Sequence, residues 1–229
     1  MAAWAGALFG RELESGTARL VWTQGVSPAR WTATALGVPA ALVAAGTGLL
    51  VVLHHLAWPA GEGRIDTAKP WYDDVTLHSN GPTTVAFALC GLAAGALAGL
   101  VSRRSLAAIG AAAVLTGAVR VTAGLALPHL WPAVIRVGSL TTGYPGSGLQ
   151  VGQGLVTSTG AHIPDPGCGY GTEAECRAIH DKLDATGFYS TFHPASHYWP
   201  LQLTTTALVL ALTGLLTLAA FTLLRRRTA

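Results

Sequence analysis

The sequence predicts an all-α, polytopic membrane protein, with four transmembrane helices and a long extracytoplasmic loop between the last two. Three observations carry that class. The chain of 229 residues is 51% hydrophobic and only 11% charged, whereas a soluble domain carries roughly 25% charged residues. Its charges are clustered. No Asp, Glu, Lys or Arg stands between Arg30 and Glu62, between Asp74 and Arg103, or between Asp184 and Arg225, and the window Ser105 to Leu130 holds only Arg120. Each window is longer than the ~20 apolar residues that cross a hydrocarbon core. Buried helices of a soluble protein are a poor alternative, because windows of this length leave almost no polar helix face.

The spans fall at 33–55, 82–101, 105–127 and 201–224. They divide the chain into a cytoplasmic or interfacial segment (1–31), a three-span bundle (32–127), an extracytoplasmic loop with a short helix (128–200), and a last span with a basic tail (201–229). Loop arginines set the orientation. Arg11, Arg19 and Arg30 precede the first span, Arg103 and Arg104 fill the turn after the second, and Arg225, Arg226 and Arg227 follow the fourth. The opposite side holds Arg64, Lys69, Arg136, Arg177 and Lys182, spread over two long loops. The dense side is therefore expected to be cytoplasmic, with both termini inside. Trp31, Trp58, Trp131 and Trp199 fall at span ends, where indoles prefer the interface. A pI near 9.0 invites a nucleic-acid reading. The net charge is only +3, however, and the arginines sit at span ends rather than on one patch, so no nucleic-acid partner is expected.

Taken in order, MAAWAGALFG is too short to span and lacks the basic lead of a signal peptide. Residues 11–24 read as a short helix, with Phe9, Leu13, Leu20 and Val21 able to share one face. Gly25 and the Ser27–Pro28 pair end it. By itself this pattern suits an interfacial helix on the inner membrane surface. The second span carries Gly91, Gly95 and Gly99 on one helix face, a spacing that lets another helix pack close.

Arg120 lies inside the third span, where a charge costs about 2.5–3.5 kcal/mol on insertion scales. It must face other helices, a partner subunit or a wet cavity, or snorkel towards the outer end. No acidic residue lies within the spans. The expected partner is a backbone carbonyl, a hydroxyl such as Thr204–Thr206, or another chain.

The second outer loop is rich in Gly, Ser and Thr, with alternating apolar positions near Leu149–Val156 that suit either a hairpin or irregular chain. Glu173 to Ala185 reads as a short amphipathic helix. Cys168 and Cys176 lie in this loop. An oxidising exterior permits a disulfide between them, although spacing alone does not decide it. A zinc site there lacks a second ligand pair. His193 and His197 have i, i+4 spacing, but Pro194 between them argues against a helical metal pair. No metal site is expected. No GxxxxGK[ST] loop, GxSxG or HExxH occurs, so neither nucleotide binding nor enzyme catalysis is expected of this chain.

RELESGTARLVWTQGVSPARW, Arg11 to Trp31, resembles the cytoplasmic segment of bacterial ABC-2-type transporter permeases, which reads R-E-L-E-x-G-T-x-x-L-x-W-T-Q-x-V-S-x-x-R-W in one large group. FYSTFHPASHYWPLQ is similar to that family's Y-Q-P-A-S-R-F-W-x-F-Q before the last span, with His193, His197 and Tyr198 replacing Gln, Arg and Phe. An Arg in the third span, as in AVRV, is also familiar there. The resemblance implies a permease that pairs into a homodimer or heterodimer in the lipid of the bacterial plasma membrane. It implies two separate ABC ATPase subunits that carry the ATP and Mg, with no cofactor in this chain. The coupling segment, Arg11, Glu12, Leu13, Glu14, Thr17, Leu20, Trp22 and Gln24, would lie in a groove on the ATPase. ATP-driven closure would then shift the spans between inward- and outward-facing states. The family has six spans, and MAAWAGALFG looks like the tail of a second one, so the chain is expected to lack the family's first two spans. The alternative reading is a truncated, non-transporting anchor or partner-binding protein.

Overall fold

The computed structural model describes residues 8–9, 11–12, 14–17, 20, 23–168 and 172–228. From Pro28 onward the α-helices are α1 (Pro28–Gly61), α2 (Asp74–Ser79), α3 (Pro82–Ser102), α4 (Ser105–Ala126), α5 (Glu173–Lys182) and α6 (Tyr198–Thr228). The strands are β1 (Val134–Ser139), β2 (Leu149–Thr157), β3 (His162–Ile163) and β4 (Ala185–His193). The chain forms two units: Met1–Pro70, Asp74–Ala126 and Gln202–Ala229 make one, and Trp71–Asp73 with Leu127–Leu201 make the other.

The first unit is helical. Among the described residues, four helices are long and apolar enough to cross a membrane: Pro28–Gly61, Pro82–Ser102, Ser105–His129 and Ala195–Arg226. The first starts earlier than residue 33. Ser27 caps it by accepting a hydrogen bond from the Arg30 N–H at 3.2 Å, and Pro28 occupies its first turn. A pair read as a helix stop is thus also a helix start, since Pro at the first position gives up no intrahelical bond. α3 ends at Arg103, whose N–H donates to the Gly99 carbonyl at 3.0 Å, and α4 follows at once.

α3 forms the centre of this unit. Over its apolar window 56% is buried, against 6% for α1, 11% for α4 and 17% for α6. Its composition explains this. Gly91, Gly95 and Gly99 are buried, and so is every residue from Cys90 to Ala96. Small residues admit neighbours around the whole helix, beyond the one face that the glycine spacing marks. Near the arginine-rich end, Phe9, Trp31, Leu36, Leu92, Leu100 and Leu224 form an apolar cluster, with the Phe9 and Trp31 rings 5.4 Å apart, edge to face. The other spans expose Leu42, Leu56, Leu106 and Leu125, a surface that hydrocarbon rather than water accommodates.

The second unit corrects the all-α class. It holds a four-stranded antiparallel sheet in the order β1-β4-β2-β3. Phe188, Ser190 and Phe192 of β4 alternate on one face, opposite Gly138, Arg136 and Val134 of β1. Phe188 meets the rings of His180 on α5, at 5.5 Å, and Tyr144, at 4.5 Å. Tyr144 donates to the Asp165 carboxylate, and burial together with that carboxylate pushes its phenol pKa well up. α5 opens with a Thr172–Glu175 capping box. It stops at Lys182, short of the expected Ala185, because Asp184 turns the chain at φ 52° and Ala185 enters β4. A disulfide joins Cys168 and Cys176, with Cα atoms 5.2 Å apart. His193 ends β4 and His197 lies in a 3-10 turn; their Nδ1 atoms are 3.1 Å apart. Among the described residues no group of three or more His, Cys, Asp or Glu is placed to hold a metal ion.

Candidate functional site

The polar groups of the helical unit gather at the end opposite the arginines, around α2. This six-residue helix, with Asn80 just after it, is tied to all four spans, to α3 by the Thr84 hydroxyl, which donates to the His78 carbonyl at 2.5 Å. Its Asp74 receives a forked contact from Arg120 on α4, Nη2 to Oδ2 at 2.7 Å and Nη1 to Oδ1 at 3.2 Å, with a third bond from Nη2 to the Asp74 carbonyl at 3.2 Å. The Arg120 guanidinium also stands 5.9 Å from the Phe87 ring of α3. Gly124, one turn beyond Arg120, leaves room for the pair, since a Cβ there would sit 3.0 Å from Asp74 Oδ1. Asn80, just after α2, is within 3.2 Å of His54 Nδ1 on α1. The Leu77 carbonyl accepts from Gln202 Nε2 on α6. Thr83 on α3 donates to Gln202 Oε1 at 2.5 Å.

The partner of Arg120 is therefore an acidic residue of its own chain, not a carbonyl alone, a span hydroxyl or another chain. Asp74 lies outside every span, but Arg120 sits only six residues before the last residue of α4, within reach of it. A bidentate carboxylate contact is the geometry a guanidinium fits best.

Gln202 is 1% exposed, and it lies over Gly81, where a Cβ would stand 2.4 Å from its side-chain carbon. Gly81→Ala is therefore expected to swing the Gln202 side chain away, leaving the Leu77 carbonyl and the Gln202 amide without each other, while the Thr83 hydroxyl keeps Thr206 at 3.1 Å. The expected loss is about 1–3 kcal/mol for buried groups left unsatisfied, measured as a lower thermal midpoint of the purified protein in detergent. An unchanged midpoint would refute this account of Gly81.

His78 completes the cluster. It is 4% exposed, and its Nδ1 lies 2.8 Å from the Asp74 carbonyl and 3.1 Å from Asp74 Oδ1. Desolvation holds this imidazole below its ordinary pKa, aided by the Arg120 charge, against the pull of Asp74. Burial opposes the Asp74 charge too, but the hydrogen bonds and charge of Arg120, with His78 behind them, outweigh it and hold the carboxyl below its usual value. Both shifts work in the same direction. The unfolded chain takes up a proton on His78 below pH 6.5 before the folded chain does, and on Asp74 near pH 3.8. Stability is thus expected to be full at neutral pH, to fall as pH drops below 6.5, and to fall again in stronger acid. Thermal midpoints across pH should show the first step, and His78→Gln should remove it.

The segment that resembles a coupling helix lies at the arginine-rich end. Leu13 and Trp22 fall outside the described residues. Arg11, Glu12, Glu14, Thr17, Leu20 and Thr23 have helical backbone, but the helix is broken at Ser15 and Gly16, where Gly16 takes φ 77°. The described residues from 11 to 24 thus do not form one continuous helix, because a positive φ stops a helix. Arg11, Glu14, Thr17, Leu20 and Gln24 are exposed. Glu14 Oε2 accepts from Ser105 N and Ser105 Oγ, each at 3.4 Å, and so caps the first turn of α4.

A family model described as ABC-2 membrane transporter related matches residues 2–127, more than half of the chain. The chain belongs to that family. No curated protein and no solved structure matches it. The matched region of this ABC-2-related chain takes in the 11–24 segment, α1 to α4 and the Arg120–Asp74 pair, and stops at the edge of the sheet unit. The chain is thus a multi-pass membrane protein with a transporter permease-like role. The sequence reading reached Arg120 but missed Asp74, His78, Thr83 and Gln202. Gln202 had a signal, since it is the closing residue of the second resemblance motif. Asp74 had one as well, as the last acid before an uncharged window.

Proposed function

We propose that this ABC-2-related chain is the permease subunit of an ATP-driven exporter in the bacterial plasma membrane, with the arginine-rich end and both termini cytoplasmic. The observation that carries the reading is the family match, which begins at residue 2 and so includes the exposed residues Arg11, Glu14, Thr17, Leu20 and Gln24. A pair of such chains, alike or different, binds two separate ABC ATPase subunits that hold ATP and Mg. The segment presents Arg11, Glu12, Glu14, Thr17 and Gln24 as a mixed-charge surface, the kind that gives an interface orientation and specificity.

The geometry supplies a route for the stroke. Glu14 grips the first turn of α4 through Ser105, and α4 carries Arg120 near its other end. A push on the segment therefore reaches α2 along one rigid helix. At that far end the α2 cluster holds all four spans together, and its polar contacts are the ones that must rearrange for the spans to part. The experiment is co-purification from the native host with the chain tagged. The expected companion is a protein with a GxxxxGK[ST] loop, whose ATP hydrolysis changes when the permease is present. A native complex without such a protein would refute the proposal.

A further inference from the structure

Two clefts meet along α6 in the half of the bundle nearest the arginines. One, of about 390 Å³, lies between α1, α3 and α6, with Leu36, Gly37 and Ala40 on one wall, Leu92 on another, and Thr217 and Phe221 on the third. Its volume is within the roughly 300–1,000 Å³ of small-molecule sites. The second, of about 590 Å³, runs along α6 from Leu210 to Arg225 and shares Thr213, Thr217 and Phe221 with the first. The walls are apolar. The two shared threonines donate to carbonyls of their own helix, Thr213 to Val209 and Thr217 to Thr213, each at 2.8 Å. They are not free to donate to a polar guest.

The mouth of the clefts has a different character. Arg225 follows Phe221 by one turn on α6, and Arg30 precedes Ala33 and Gly37 on the same face of α1. Gly37 and Gly214, one in each cleft, have open space where a side chain would be, with nothing within 4 Å of an added Cβ.

We propose that these clefts hold one anionic phospholipid. One acyl chain lies between α1, α3 and α6, the other lies along α6, and the phosphate sits between Arg30 and Arg225. Apolar walls without available donors select chains over water-soluble guests, and two cations at the mouth select a negative headgroup. The site needs only the membrane placement of the spans. It does not depend on ATP-driven export.

The test is native mass spectrometry of the full chain, titrated with phosphatidylglycerol and with phosphatidylcholine of the same acyl chains. Two arginines at the headgroup level give an expected preference of about tenfold or more for phosphatidylglycerol. Arg30→Gln with Arg225→Gln should erase that preference while phosphatidylcholine binding stays as it was. Gly37→Leu should cut binding of both lipids. Gly46→Leu, on the same helix at a site equally open but outside the clefts, should not. Equal binding of the two lipids by the unaltered chain would overturn the proposal. So would unchanged lipid binding by a folded Gly37→Leu protein, including the case where that variant instead alters the dimer mass, which would mean that a second copy fills the cleft. If Gly37→Leu unfolds, the arginine variant decides alone.

Discussion

Arg120→Ala is expected to abolish export while the chain still inserts into the membrane. Two terms of opposite sign separate these outcomes. Removing a charge from a membrane helix relieves an insertion penalty of about 2.5–3.5 kcal/mol at the helix centre, and less towards its end, so insertion does not suffer. The forked contact to Asp74 is lost, but its carboxylate is 53% exposed, so the pair itself contributes about 1 kcal/mol or less once screened by solvent. The larger consequence is mechanical. Arg120 is the contact by which α4 holds α2, and α2 is the element that reaches the other three spans. Arg120→Lys keeps the charge and loses the fork, so partial export is expected of it. Asp74→Ala should resemble Arg120→Ala in export and be less stable, because it leaves the guanidinium in the span without its carboxylate. Vesicles carrying the variants with the ATPase would be assayed for ATP-dependent export, with membrane insertion measured in parallel. Normal export by Arg120→Ala would remove the α2 cluster from the mechanism.

The spans were legible because each is an unbroken apolar run, and a run of that kind has one physical solution in a bilayer. Their starts were less so. α1 begins at Pro28 rather than 33 because a local cap, Ser27, sets the start, and hydropathy does not register caps. The sheet was harder still. Only the alternation near Leu149–Val156 pointed to strands. β4 overlaps a motif read for its family resemblance, and β1 is six residues that become a strand through pairing with β4, a contact distant in sequence. No acidic residue lies within the spans, and the partner of Arg120, Asp74, lies outside them. Arg120 lies near enough to the end of α4 to reach beyond them. The break in the 11–24 region turns on one residue, Gly16, which amphipathic periodicity does not weigh.

Glu12→Lys with Glu14→Lys is expected to release the ATPase while membrane insertion is unchanged, and the two substitutions should not contribute alike. Glu14 is engaged within the chain, at the first turn of α4. A carboxylate there is favoured by the helix dipole by about 0.3–1 kcal/mol, and a lysine is disfavoured by a similar amount. Glu14→Lys should therefore loosen the Arg103–Arg104 turn and lower the thermal midpoint slightly, besides altering the exposed surface. Glu12 has no such contact among the described residues; its backbone carbonyl accepts from Ser15 and Thr17, and a lysine there leaves those bonds in place. Glu12→Lys alone should thus weaken ATPase binding at unchanged stability, whereas Glu14→Lys should affect both. Glu14→Gln keeps an acceptor for Ser105 and should restore stability while leaving the surface one charge short. Co-purification of the ATPase with each variant, beside its thermal midpoint, distinguishes the two roles. If all of them retain the ATPase fully, the segment is not the coupling contact, and the stroke must enter the bundle elsewhere, with the Arg103–Arg104 turn the nearest cationic surface at the same end.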